Sequence, residues 1–295
     1  MYPDSFEYHR AESVGDALEL LSAHPEAEIL AGGHSLLPTM KSGLSSPEAL
    51  IDVGDLDELR GVETADGTTS IGALTTYATA ANSQVVCENA AVLAEAASRV
   101  GDVQVRNRGT VGGNVAHADP ASDLPGATIA ADATMVLRGP DDERRVPSGE
   151  FFFGMYATDV AEDELLTRIE VPSRPDAVGA YAKKPSPSSG YAVVGVAASL
   201  AVDDDGAVSD VRVAANGATD RGVRLEPVEE ALAGETLDAE TIEAAAAVAA
   251  DGLEEATMMD DLQASAAFRA QLLRAYAERA LTEAAERAGT LVVEA

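Results

Sequence analysis

Apolar and polar positions change period several times along the chain, and each change predicts an element. Behind Ser13, a plausible capping residue, Val14, Ala17, Leu18 and Leu21 recur at helical spacing, which predicts a helix to about Ser22. AEILAGG is a short apolar run closing on two glycines and predicts a buried strand feeding a tight turn. LLPTMKSGL then reads as a loop or short helix, ALIDVGDL as a second buried strand, and TTSIGALTT as a strand ending at a small-residue turn. The first 60 or so residues thus form a β-α-β-like unit.

From Thr75 to about Gly101 the pattern turns helical and Ala-rich. GATIAADATMVLRG and RRVPSGEFFFG predict strand, turn and strand, and DELLTRIEVP a further strand stopped by Pro172. SRPDAVGAYAKKPSPSSG is Pro- and Ser-rich and reads as a linker. Beyond it, YAVVGVAASL and GAVSDVRVAANGA flank an Asp/Gly turn as a hairpin, and EPVEEALAG, DAETIEAAAAVAADGL and SAAFRAQLLRAYAERALTEAAERAG predict three helices. The expected organisation is an α/β domain over residues 1–175, with subdomains of about 1–60 and 61–175, followed by a C-terminal α+β domain over 176–295.

Charge narrows the function classes. Fifty-one acids face twenty bases, a formal net charge of −31, and only Lys41, Lys183 and Lys184 are lysines. Phosphate-rich nucleic acid and acidic membrane surfaces are repelled by such a chain. A hydrophobic content of 46% argues against disorder, so the acidity reads as the surface of a folded, halophilic protein in a high-salt cytoplasm. MYPDSFEYHR carries no signal-peptide pattern and no apolar run approaches the ~20 residues of a membrane span, which together predict a cytoplasmic protein. The single cysteine, Cys87, excludes a four-cysteine metal or iron–sulfur site within this chain, and reads as a small buried hydrophobe.

Two segments stand out as bare. AGGHSLLPTMKSG (Ala31–Gly43) and RNRGTVGGNVAHADPASDLP (Arg106–Pro125) pair glycines with hydroxyl and amide side chains. Consecutive N–H groups in such turns form nests for phosphate oxygens, and neutral donors suit a chain with almost no lysine. Two nests fit a pyrophosphate better than a single phosphate. Neither segment has the spacing of a Rossmann fingerprint or a P-loop. His117, Asp119 and Asp123 lack metal-ligand spacing. They fit a capped loop with Pro120 at a helix start, or equally one aspartate accepting from a ribose hydroxyl.

AGGHSLLPTMK, VRNRGTVGGNVAHADPASDLP, FFFGMYATDVAEDELLTRIEVP, YAVVGVA and DDLQASAAFRAQLLRAYAERAL resemble, in order and over nearly the whole chain, the FAD-binding medium subunit of molybdenum hydroxylases, the family of carbon monoxide and xanthine dehydrogenases. The resemblance implies a two-part FAD-binding domain of the vanillyl-alcohol-oxidase (PCMH) type followed by the family's own C-terminal domain. It implies that Ala31, Gly32, Gly33, His34, Ser35 and Leu36, with Thr110, Gly112, Gly113 and Asn114, hold the FAD pyrophosphate. Asp123 would meet the ribose or ribityl region, and Leu166 the adenine or flavin edge. Lys183 would lie near the flavin ring and Tyr191 at its face.

Molybdopterin and two [2Fe–2S] clusters are expected on partner subunits, large and small, in a dimer of heterotrimers, with this chain passing electrons from the clusters to an acceptor. The flavin supplies the redox chemistry, so no acid, base or nucleophile is implied here. The chain departs from the family's usual pattern at Gly190, at PSPSS (residues 185–189) and at Asp159-Val160. A stand-alone flavoenzyme and a scaffold subunit with a decayed FAD site are the alternatives.

Overall fold

The computed structural model describes residues 2–291. It opens with β1 (Glu7–Arg10), α1 (Val14–Ala23), β2 (Ala27–Leu30), α2 (Leu36–Ser42) and β3 (Ala49–Asp52). The three strands are parallel in the order β1-β3-β2, the β-α-β arrangement expected for this stretch. Ser13 caps α1 by accepting from the Asp16 N–H at 3.0 Å. The apolar stripe of α1 then buries Leu18 and Leu21 with Ile51 and Val53.

The hairpin β4 (Val62–Ala65) and β5 (Thr68–Gly72) leads into a run of short helices: α3 (Tyr77–Asn82), α4 (Gln84–Asn89), α5 (Ala91–Arg99), α6 (Val103–Arg108), α7 (Val111–His117) and α8 (Asp123–Ala130). There follow β6 (Thr134–Arg138), β7 (Glu143–Pro147), α9 (Ser148–Phe151), β8 (Phe152–Gly154), β9 (Ala157–Thr158) and β10 (Leu165–Pro172). An antiparallel sheet in the order β4-β5-β10-β6-β7 backs the helices, and Met135, Leu137, Phe151 and Ile169 fill the core between them.

β11 (Val178–Pro185), β12 (Ala192–Val202), β13 (Val208–Asn216) and β14 (Val223–Arg224) form an antiparallel sheet, followed by α10 (Glu226–Leu232), α11 (Ala239–Ala247) and α12 (Ala266–Ala288). One face of this sheet packs on α5 and α8, and the other on α12. That double cover explains why β12 is buried at every position from Ala192 to Leu200 and reads as a continuous apolar run. No helix among the described residues is long and apolar enough to cross a membrane.

Four expectations are corrected. GATIA belongs to α8 rather than a strand, because Leu124, Ala127 and Ala130 turn into the main core at helical spacing. The supposed linker holds β11, whose Val178–Pro185 backbone pairs along β12. Arg106–Pro125 is largely α6, α7 and the start of α8 rather than an open loop. Cys87 is exposed on the outer side of α4, while Val86 turns inward.

Candidate functional site

The Ala31–Leu36 loop follows β2 and enters α2. Gly33 has φ +71°, the left-handed conformation that glycine adopts without a Cβ penalty. Gly32 is required for a different reason. A Cβ there would stand 2.3 Å from the Arg108 carbonyl oxygen and 2.9 Å from the Gly109 Cα. The first bare segment is therefore pressed against the backbone entering the second. The loop leaves its donors unused: among the described residues, the backbone N–H groups of Gly32, Gly33, His34, Ser35 and Leu36 have no hydrogen-bond partner. His34 folds back so that Nδ1 lies 2.8 Å from the Gly32 carbonyl, and the side chain thus orders the turn.

The second segment is built differently. Thr110 caps α7 and its Oγ1 accepts from the Gly113 N–H at 3.2 Å. Val111 N–H donates to Thr75 O at 2.9 Å, Gly112 N–H to Ala73 O at 2.8 Å and Asn114 N–H to Thr110 O at 3.1 Å. These four donors are spent inside the fold, which corrects the expectation of two open nests. Gly112 is glycine because a Cβ would meet the Ala73 backbone at 2.6 Å, and Gly113 brings the start of α7 up to Ala31.

Both segments line one cleft of about 450 Å³. Ala31, Gly32, Gly33, His34, Ser35, Leu36, Thr110, Gly113 and Asn114 reach its wall, whereas Gly112 lies buried behind it. Tyr191, from the C-terminal part, stands near Ser35 but is not among the residues that line the cleft, and burial raises its pKa. Among the other lining residues, Tyr77, Tyr156 and Val160 were not sequence-derived candidates. Tyr77 carried no sequence signal, being some thirty residues before Thr110; the isolated bridge between Thr76 and Thr110 brings the two together. Its buried phenol accepts from Asn114 Nδ2 at 2.9 Å, and burial raises its pKa. Tyr156 packs beside His117 with ring centroids 5.1 Å apart.

Asp123, Lys183 and Leu166 lie behind the wall. Asp123 opens α8 and is buried, with Oδ1 accepting from the Tyr181 hydroxyl at 2.6 Å and Oδ2 from Lys183 Nζ at 2.7 Å. Burial pushes this carboxyl up from its ordinary value, while Lys183 and Tyr181 hold it toward the charged form. Lys183 also donates to the Gly190 carbonyl at 3.0 Å, and Gly190 sits at φ +77°, a conformation that favours glycine at this departure from the family pattern. Asp123 and Lys183 thus pair their charges with each other within the fold. Leu166 is part of the main core on β10, opposite Leu137, and does not reach the cleft. The pair is still tied to the wall, since Ser122, beside Asp123, donates to Asn114 Oδ1 at 2.7 Å.

The donor set fits an anionic cofactor: a run of free N–H groups, the Ser35 and Thr110 hydroxyls, and aromatic walls from Tyr77 and Tyr156. Comparison with known proteins agrees. Residues 4–174 match the family described as "FAD binding domain in molybdopterin dehydrogenase", and residues 179–284 match "CO dehydrogenase flavoprotein C-terminal domain". The chain is 38% identical to the carbon monoxide dehydrogenase medium chain of Hydrogenophaga pseudoflava, over 96% of this chain and 98% of the relative. It is 36% identical to the 6-hydroxypseudooxynicotine dehydrogenase complex subunit alpha of Paenarthrobacter nicotinovorans, over 98% and 97%. A solved structure of carbon monoxide dehydrogenase from Hydrogenophaga pseudoflava, lacking the Mo-pyranopterin moiety of its cofactor, superposes with a TM-score of 0.91 at 39% identity, covering 97% of this chain and 99% of that one. The chain belongs to the molybdopterin dehydrogenase FAD-binding family.

Proposed function

We propose that this family member is the FAD-binding electron-transfer subunit of a molybdenum hydroxylase complex, and that the Gly32–Leu36 nest holds the FAD diphosphate. The observation that carries this reading is the run of five N–H groups without a partner among the described residues, in a loop that lines a cleft. A flavin held here would supply the redox chemistry between the [2Fe–2S] clusters of a small partner subunit and an acceptor. The protein's part is binding and shape. The neutral nest takes phosphate charge without lysine. The Thr110 hydroxyl accepts from Gly113 and keeps its own hydrogen to donate. Asn114 is fixed by Tyr77 and Ser122, and Tyr77, Tyr156 and Tyr191 offer faces or edges to the ring systems. Asp123, Lys183 and Leu166 support the wall from behind.

The same reading assigns residues 1–175 to the cofactor domain and 176–295 to the C-terminal domain. It places a large molybdopterin subunit and a small iron–sulfur subunit beside this chain in a cytoplasmic dimer of heterotrimers. Its acidic, lysine-poor surface suits high salt, and the thermal midpoint falls when molar KCl is replaced by millimolar KCl.

The test is a visible spectrum of the chain purified in high salt, before and after adding FAD and gel filtration, followed by purification with the two partner chains. Flavin absorbance that stays with the protein, and co-purification of all three chains, is the expected result. A colourless protein, with and without the partners, overturns the assignment.

A further inference from the structure

Two of the chain's four histidines meet on the small parallel sheet, outside the cleft. Glu7 and His9 stand two residues apart on β1 and so share one face of the strand. His24 ends α1, just before β2, and brings its ring over His9, with centroids 4.2 Å apart and planes inclined by 32°. One ligand atom from each of Glu7, His9 and His24 lies within 4.8 Å of the other two. None of the three lines the cleft.

His9 supplies an independent sign that something is due here. Its Nε2 is shut off from solvent and has no hydrogen-bond partner among the described residues. Glu7 Oε2 stands 3.5 Å away, within ion-pair reach but without a hydrogen bond to it. A buried ring nitrogen left without a partner is unusual, because the lost hydration is not replaced. A metal ion placed among the three groups replaces it. Two imidazoles and one carboxylate suit borderline divalent ions of the zinc, cobalt or nickel type rather than calcium or magnesium. Donor atoms around one tetrahedral zinc stand roughly 3.3 Å apart. The cluster therefore needs only a small contraction of side chains that are at least partly exposed. Three protein ligands leave a fourth position for water.

We propose that Glu7, His9 and His24 bind a divalent transition-metal ion that pins the edge strand β1 to the end of α1. Among the described residues β1 pairs only with β3, so the ion adds a second tether for that strand. The role is structural, and the site stands apart from the cofactor cleft.

The test uses the full chain without an affinity tag, freed of metal with a chelator and held in molar KCl to screen its acidic surface. Cobalt(II) is the probe. The expected result is one equivalent bound with the visible absorption of an imidazole-ligated ion, displaced by zinc, and a thermal midpoint that zinc raises and chelator lowers again. His24→Gln weakens binding by more than the about 10–100-fold that loss of an outer-sphere partner costs. Glu7→Gln, at an exposed carboxylate, weakens it as well and decides the matter should the histidine variant not fold. No stoichiometric cobalt band, or a zinc effect on the midpoint unchanged in Glu7→Gln, overturns the proposal and assigns the binding to the acidic surface.

Discussion

The two glycine-rich segments look alike on paper and do opposite work. Among the described residues, Ala31–Leu36 keeps five consecutive N–H groups without a partner, while Val111–Asn114 spends four on Thr75, Ala73 and Thr110. In the first, glycine permits a left-handed turn and close backbone approach, leaving donors exposed. In the second, Gly112 and Gly113 let a short helix start against Ala73 and Ala31. The difference teaches that paired glycines report close approach, and that a donor counts toward a binding site only if the fold has not already used it.

This division separates affinity from stability, and the largest test lies behind the second segment. Lys183→Met leaves the Asp123 carboxylate buried without its cation, and breaking a buried pair costs about 3–5 kcal/mol. Chemical denaturation reads that loss, while the protein that remains folded keeps its FAD affinity within a few fold, roughly 1 kcal/mol or less. A stable variant with strongly weakened FAD binding would reverse the assignment and put Lys183 in contact with the cofactor.

Gly32→Ala acts on the other side of the comparison. Its Cβ would overlap the Arg108 carbonyl, and relieving an overpacked contact of this kind costs about 1–3 kcal/mol. The loop must move, and its N–H groups with it. FAD affinity is expected to fall by about 100-fold, equivalent to about 2.7 kcal/mol, measured by flavin fluorescence titration. An affinity within threefold of the parent protein would mean that the nest is not where the diphosphate sits.

How much of this was legible in the sequence follows from the range of each interaction. The α1 stripe, the β12–β13 hairpin and the two glycine segments are local patterns, and period and turn chemistry announced them. GATIA in α8 misled because small apolar residues buried all round a helix show no stripe. β11 was hidden by its Pro- and Ser-rich surroundings, although its interior reads VGAYAKKP and pairs along β12. Within the site, the Ala31 and Thr110 segments were visible as motifs. Tyr77 was invisible, and so was the Asp123–Lys183 pairing across some sixty residues, because both depend on contacts between distant parts of the chain.

Thr110→Ala sharpens the comparison at smaller cost. It removes the cap that binds the Gly113 N–H, worth about 1 kcal/mol. For a domain-sized unit this lowers the thermal midpoint by roughly 2–4 °C. Thr110→Ser, which keeps the hydroxyl, restores most of that loss. If Thr110→Ala leaves stability unchanged and only FAD binding suffers, the hydroxyl belongs to the cofactor and not to the helix.

The smallest effect is the most discriminating about chemistry. A diphosphate held by lysine or arginine loses affinity as salt rises, because each ion pair is screened. Here the proposed donors are neutral N–H groups, and the surrounding chain carries a net charge of −31. Salt then screens repulsion more than attraction, and the screening length shrinks from about 10 Å at 0.1 M to about 3 Å at 1 M. FAD affinity should therefore rise, by roughly two- to fivefold over that range, chiefly through faster association. Stopped-flow measurement of flavin quenching against KCl concentration reads both sign and origin. A fall in affinity with salt would place cationic side chains on the diphosphate, and with it would go the argument that free backbone donors, rather than the chain's scarce lysines, make this cleft an anion site.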